Sequence, residues 1–467
     1  MKIKFGTDGW RAIIAKDYTE ENLRRVAEGT AQYMKDQGLT KAVIGYDCRF
    51  GGERFTNITA GVLGAYGIHV ILSSQGFSST PMVSLAVKEF ALDLGIVITA
   101  SHNPPSYNGY KLKSSYGGPS IPSEIEAVEN RIPDKAGIEV LSLEEMESKG
   151  LLEYRSLEDL YLEKIKNSFD LDLIRNSGLK IAYDAMYGAG QNIIRKLFPK
   201  AELLHCEFNP SFLGQAPEPI DRNLGELSSL ITSNPGKFDV GLANDGDADR
   251  IGMYDEKGKF VDSHHLLLLL LQYMVEYKNV KDRVIITFSV TDKMKKLAES
   301  YGLEVEITKI GFKYIAQRMQ EVEIVVAGEE SGGIAISGHI PERDGIWIGL
   351  VIFEFMAKSG QSLTQLVDNL YKKVGAFTCD RDDLHISESQ KTNILNHLKD
   401  NTPEKFGEYS VEKVETLDGY KFTFDNGDWT MIRPSGTEPV LRVYAQSESP
   451  EKVRKVLDAV HKTLNAL

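Results

Sequence analysis

Three segments far apart in the chain repeat one layout: a basic residue, a short β-branched strand, a polar turn and then a helical pattern. They begin at Lys41 (KAVIGYDCRF), Lys180 (KIAYDAMYGAG) and Arg283 (RVIITFSVTDK). Recurring strand-turn-helix units of this kind predict α/β domains with parallel or mixed sheets, in three related copies. Helical periodicity fills the intervals, over 21–37, 123–131, 157–167, 265–277 and 363–374. After Val374 the texture changes to alternating strand-like pieces (AFTCDRDDLHI, YKFTFDNGDWTMI) and a closing helix from Pro450, which predicts a smaller C-terminal α+β domain. These shifts place the domains at 1–155, 156–257, 258–373 and 374–467.

At 467 residues the chain is long enough for several domains, and 42% apolar with 26% charged residues is ordinary globular usage, so sizeable cores can form. The net charge of −13 argues against a phosphate-tracking nucleic-acid binder or a protein of anionic membranes. An anionic small molecule would need local, concentrated positive charge. Cys48, Cys206 and Cys379 are too few and too scattered for a disulfide framework or a CxxC site, which suits a reducing compartment. The longest apolar run, starting at Leu266, falls far short of the ~20 residues that span a bilayer. With no apolar leader in MKIKFGTDGWR, a cytoplasmic location is expected.

Four loops carry the residues of chemical interest. In ITASHNPPSYNGYK an apolar strand runs into Ser101, a hydroxyl presented at a strand end as nucleophiles often are. Alone, the loop is better read as a Ser-Asn-Pro turn satisfying its own backbone. In FDVGLANDGDADRIGMYDE the strand is followed by Asp245, Asp247 and Asp249 at alternate positions. Three such carboxylates repel one another unless a cation sits among them. The spacing imitates an EF-hand, with Glu256 at the twelfth place, but Arg250 stands where that loop needs Gly. What remains is a hard-oxygen site with open positions, suited to Mg²⁺ and a phosphate oxygen that Arg250 could also touch.

In IVVAGEESGGIAISGHIPERDGIW, Glu329 and Ser331 alternate beside paired glycines, a pattern that can grip sugar hydroxyls or simply form an acidic hairpin. In WTMIRPSGTEPVLRVY, Arg433, Ser435, Gly436 and Thr437 offer a fork of donors, two hydroxyls and a turn in the backbone, as an anion site requires. A hydroxyl nucleophile, a divalent metal, a polyol grip and a separate phosphate cradle together describe phosphoryl transfer on a sugar phosphate.

SHNPPSYNG, DGDADR, GEESGG and RPSGTEP, in that order and preceded by FGTDGWRA, resemble the α-D-phosphohexomutase superfamily over essentially the whole chain. The resemblance implies four domains around a central cleft, the first three α/β with mixed sheets and alike in topology, the fourth smaller and phosphate-binding. It implies that Ser101 is phosphorylated, that Asp245, Asp247 and Asp249 hold Mg²⁺ together with it, and that Arg250 contacts its oxygens. Arg11 and Lys111 match positions beside the transferring group, and Lys111 is a candidate proton carrier. Glu329 and Ser331 match the sugar ligands, Lys313 is a further cleft contact, and Arg433, Ser435, Gly436 and Thr437 match the grip on the phosphate that is not transferred. Phe312 stands where the family often has Trp or His.

GEESGG followed by HIPERDGIW is more like phosphoglucomutases than the GEMSGH of members that also favour mannose. The expected reaction therefore interconverts glucose 1-phosphate and glucose 6-phosphate, with glucose 1,6-bisphosphate as intermediate and activator, in a monomer or homodimer. Phosphomannomutase, dual-specificity and phosphoglucosamine mutase activities are the alternatives within the family. A phosphoserine hydrolase and a non-catalytic sugar-phosphate sensor are the alternatives outside it.

Overall fold

A computed structural model describes residues 2–6, 8–434 and 440–466. The chain divides into two compact units, one of residues 1–283 with 311–366, the other of 284–310 with 367–467.

The first unit contains two mixed sheets built on one plan. In the N-terminal sheet the strands run in the order Trp10–Ile13, Tyr107–Ser114, Leu94–Ile98, Lys41–Tyr46, His69–Ser73, Leu152–Arg155. Lys41–Tyr46 is parallel to both Leu94–Ile98 and His69–Ser73, while Leu94–Ile98 and Tyr107–Ser114 run antiparallel. The second sheet repeats this. Ile181–Asp184 is parallel to Val240–Asn244 and Glu202–Leu204, and Val240–Asn244 is antiparallel to Ile251–Asp255. Strands covered on both faces need side chains that are apolar throughout, and every residue of Leu94–Ile98 (LGIVI) is buried. Helices Glu20–Asp36 and Gly52–Ala65 supply one covering layer, and Ser79 caps Thr80–Glu89, which packs on Lys41–Tyr46 and Leu94–Ile98.

This winding fixes where chemistry can sit. In each sheet the chain leaves the first central strand to one side and returns on the other. The carboxyl ends of the two central parallel strands therefore face a crevice between diverging loops, the usual ligand position in open α/β sheets. Those ends deliver Asp47 and Ser101 in the first sheet, Asp184 and Asp245 in the second. The same unit pairs Ile324–Gly328 with Ile334–Ile336 antiparallel. The run of leucines at 266–271 lies in the buried helix Ser263–Glu276, and no helix among the described residues is long and apolar enough to cross a membrane.

In the second unit Arg283–Thr287, whose first residue closes the preceding segment, pairs parallel with Val305–Thr308. A six-stranded antiparallel sheet runs Thr378–His385, Val440–Ser447, Trp429–Pro434, Tyr420–Phe424, Tyr409–Glu415, Lys405–Phe406. Residues from its inner face and from helices Glu388–Asp400 and Pro450–Leu464 form one apolar core. On the opposite face Phe288 joins Trp429, Met431 and Tyr444. Lys421 Nζ donates to the Phe288 carbonyl at 3.3 Å, and Thr291 Oγ1 to Gln446 Oε1 at 2.5 Å. Residues 284–310, which the sequence places within a third domain, thus pack against the C-terminal sheet.

Candidate active site

Ser101 follows Leu94–Ile98 in a left-handed conformation, φ 53°, which is costly for a residue with a Cβ. The loop is held there by a buried Arg. Arg49 Nη1 donates to the carbonyls of Pro104 and Tyr107 at 2.9 and 3.0 Å, and Nη2 to those of Ser101 and Asn103 at 2.6 Å. Asp47 balances this charge at 3.3 Å and accepts the Thr99 hydroxyl at 2.6 Å, while Thr99 Oγ1 accepts the Ser101 N–H at 2.8 Å. Burial lifts the Asp47 carboxyl to about 6, and Arg49 works against that rise. The layout YDCRF was visible in the sequence as a strand end, but its Asp and Arg had no assigned role. Their signal is two charges on the crevice side of a buried strand, which must pair.

The Ser101 hydroxyl donates to Asp245 Oδ2 at 2.7 Å and lies 3.3 Å from His102 Nδ1. The second sheet's loop comes this close because Gly246 has no side chain: a Cβ there would lie 2.5 Å from the Ser101 carbonyl oxygen. The strands flanking this loop form an antiparallel pair, not the helices of an EF-hand, and Glu256 faces away to accept Ser362 Oγ at 2.8 Å.

Asp245, Asp247 and Asp249 are fully buried, with one ligand atom from each lying within 4.8 Å of the others. In each, the protein pins one oxygen. Asp245 Oδ1 accepts the Arg250 N–H at 2.9 Å. Asp247 Oδ2 accepts Thr80 Oγ1 at 2.6 Å and Lys111 Nζ at 2.8 Å. Asp249 Oδ2 accepts Lys111 Nζ at 3.0 Å and Arg343 Nη2 at 2.6 Å. The remaining oxygens are Asp245 Oδ2, shared with Ser101, and Asp247 Oδ1 and Asp249 Oδ1, which are buried with no hydrogen-bond partner among the described residues. Desolvated, unpartnered carboxylate oxygens are expensive, and a hard divalent cation satisfies them; the donor set fits Mg²⁺. Without a cation, burial and then the charges of Asp249 and Asp247 push the Asp245 carboxyl well up.

Cations surround this acidic centre. Burial disfavours the charge on Lys111, but Asp247, Asp249 and Asp8 overcome it and hold the ammonium firmly protonated. As an ammonium it places positive charge, and protons it can donate, beside the triad. Asp8 Oδ2 meets Lys111 Nζ at 2.7 Å and Arg343 Nη2 at 2.5 Å, and Arg11 at 3.5 Å. Arg11 Nη1 also donates to Asn103 Oδ1 at 2.9 Å, which ties it to the Ser101 loop. Lys113 pairs with Glu342 at 2.6 Å, both fully buried. Sequence reasoning missed Asp8, Glu342 and Arg343, although each lies inside a quoted motif. Arg343 also lies 5.4 Å from the Phe312 ring, so this ring carries a cation on its face.

The other expected residues fall in two groups. Arg250 is near the triad through its backbone, its Nη1 is 3.7 Å from Glu218 Oε1, and its Nε is buried without a hydrogen-bond partner among the described residues. Glu329 follows Ile324–Gly328, accepts the Gly311 N–H at 2.8 Å and is lifted to about 7 by burial and by Glu330. Its loop abuts the metal loop at Gly332, where a Cβ would lie 2.9 Å from the Ile251 carbonyl. Ser331 is half-buried on that loop. Lys313 lines a cavity of about 250 Å³ with Asp8, Gly9 and Ser120. In the other unit, Arg433 is the penultimate residue of Trp429–Pro434 and lies 3.3 Å from Asp418, which also accepts the Ile310 N–H at 2.9 Å. Ser435, Gly436 and Thr437 lie outside the described residues.

A strand-end serine against an acidic triad and a ring of cations is an arrangement suited to phosphoryl transfer, and comparison with known proteins gives the chain's lineage. Residues 2–137, 159–258, 262–374 and 388–463 match, in order, the alpha/beta/alpha domains I, II and III and the C-terminal domain of phosphoglucomutase/phosphomannomutase. The chain is 30% identical to a phosphoglucomutase/phosphomannomutase of Thermococcus kodakarensis, covering 97% of this chain and 96% of that one. It is 31% identical to a phosphoglucosamine mutase of Methanococcus maripaludis, covering 98% and 97%. The crystal structure of a candidate phosphomannomutase from Thermus thermophilus shares 31% identity and a TM-score of 0.88, over 100% of this chain and 99% of that one. The chain belongs to the phosphoglucomutase/phosphomannomutase family of the α-D-phosphohexomutase superfamily. It is a phosphohexomutase, an intramolecular phosphotransferase with three alpha/beta/alpha domains and a C-terminal domain.

Proposed function

We propose that the protein interconverts glucose 1-phosphate and glucose 6-phosphate through a phosphoserine at Ser101 and a glucose 1,6-bisphosphate intermediate. The observation that supports the phosphoserine chemistry is the Ser101 hydroxyl, 2.7 Å from Asp245 Oδ2 in a triad with two oxygens unpartnered among the described residues, while the glucose reading rests on the likeness of GEESGG and HIPERDGIW to phosphoglucomutases. In the first half-reaction the Ser101 O–P bond breaks, a P–O bond forms to the free sugar hydroxyl, and the hydroxyl proton ends on the serine oxygen. The bisphosphate then turns end for end, and Ser101 recovers a phosphoryl group from the other position. Asp245, Asp247 and Asp249, together with Ser101, would hold Mg²⁺, which would supply Lewis-acid stabilisation of charge on the transferring oxygens.

The chain's own residues do the rest. Arg49 and Asp47 fix the nucleophile, and Arg11, Lys111 and Arg250 stabilise transferring oxygens. One such donor is typically worth ~3–4 kcal/mol. Glu329 and Ser331 orient the sugar with Lys313 beside them, and Arg433, Ser435, Gly436 and Thr437 grip the other phosphate. The domains follow the boundaries 1–155, 156–257, 258–373 and 374–467, and the protein acts in the cytoplasm, where Cys48, Cys206 and Cys379 stay reduced.

Incubation with glucose 1,6-bisphosphate labelled in its phosphoryl groups should leave label on a peptide containing Ser101, and Ser101→Ala should take up none and lose nearly all turnover. Near-normal turnover by Ser101→Ala would reject the mechanism. Glucose, mannose and glucosamine 1-phosphates competed in one assay should rank glucose first. Glucosamine first would favour the activity of the Methanococcus relative, and release of label as inorganic phosphate would favour a hydrolase.

A further inference from the structure

Each carboxylate of the triad has one oxygen tied down by the protein, which leaves Asp247 Oδ1 and Asp249 Oδ1 without a partner among the described residues and Asp245 Oδ2 to the Ser101 hydroxyl, and the ties differ in kind. On Asp249 both partners are cations, Lys111 and Arg343. On Asp245 it is a backbone N–H. On Asp247 one partner is the cation Lys111 and the other the neutral hydroxyl of Thr80. An arriving phosphoryl group is an anion and competes with the carboxylates for Lys111. A neutral hydroxyl has no comparable attraction to leave.

Thr80 is well placed to hold on. It is fully buried at the start of Thr80–Glu89, where the first N–H groups of a helix lack intrahelical acceptors. Its own N–H donates to the Asp247 carbonyl at 3.0 Å, while its Oγ1 donates to Oδ2 of the same residue at 2.6 Å. Asp247 is therefore gripped at backbone and side chain by one residue, 167 positions away in sequence. The helix belongs to the sheet that carries Ser101, so the grip registers the acidic loop against the nucleophile.

We propose that Thr80 is a positioning residue for the metal site. Its hydroxyl orients Asp247 so that Oδ1 faces the cation and keeps it there when Lys111 turns to the transferring phosphoryl group. This rests on the metal reading of the triad. Partners of this kind, hydrogen-bonded to a metal's ligands, typically change metal affinity 10–100-fold.

The test is Mn²⁺ binding, read by the EPR signal of the free ion, on the full-length parent and on Thr80→Ser, Thr80→Val and Thr80→Ala. Parent and Thr80→Ser should bind alike, and the two variants without a hydroxyl about 10-fold more weakly. The heat-induced unfolding midpoint of metal-free Thr80→Val should stay near the parent's, while its upward shift with MgCl₂ shrinks. Binding within two-fold of the parent by either Thr80→Val or Thr80→Ala overturns the proposal, as does a Thr80→Ser variant as weak as Thr80→Ala. A parent that binds no Mn²⁺ would instead sink the metal reading itself, and this proposal with it.

Discussion

Glu329 meets two demands that conflict. The role proposed for it, holding sugar hydroxyls, favours a carboxylate, yet burial lifts it from 4.5 to about 7, so the folded protein keeps a proton that the unfolded chain would release. The sign follows by linkage: stability tied to this group is complete below about pH 4.5, declines as pH rises, and is lost above about 7. The difference is worth up to about 3 kcal/mol. Glu329→Gln keeps an acceptor for the Gly311 N–H and removes the titration, so the variant should gain on the parent between pH 5 and pH 8. Urea midpoints at the two pH values measure this, and a constant offset would contradict it.

At the next scale, one helix start sets the loop that carries Arg343. Asp344 caps Gly345–Ser359 by accepting the Trp347 N–H at 3.0 Å, and its two oxygens accept the Tyr161 hydroxyl at 2.7 and 2.8 Å. His339 Nε2, stacked on Trp347, lies 2.8 Å from the same carboxylate. Tyr161→Phe leaves a buried carboxylate short of a donor, which costs about 1–3 kcal/mol. Urea unfolding should show that loss, and kcat should fall as the neighbouring Arg343 loosens from Asp249. None of this was legible beforehand, because Tyr161 and Asp344 are 183 residues apart and read as a helix face and a turn. Strong periodicity was legible: Glu20–Asp36, Leu157–Ser168 and Leu363–Val374 stand within a residue or so of where their patterns put them. Glu388–Asp400 was missed, although Ser387 and Gln390 form a capping box that announces it. Of the catalytic cluster, motif residues were readable because their chemistry is local. Asp8, Thr80 and Arg343 act through contacts that only the fold brings about.

At the scale of the molecule, the C-terminal sheet uses both faces. One is covered by its own helices, the other by Phe288 and its neighbours. A fragment of residues 374–467 should fold its sheet yet leave Trp429, Met431 and Tyr444 bare. It should bind a hydrophobic dye and self-associate in size-exclusion chromatography, whereas a clean monomer without dye binding would mean that face needs no cover. The same arrangement bears on synthesis. Lys421 lies 133 residues downstream of the Phe288 carbonyl it binds. At ~5–20 residues per second, a ribosome takes roughly 7 to 27 s to make that stretch. For that interval Phe288 is outside the tunnel without the strands that cover it, an apolar ring open to a chaperone.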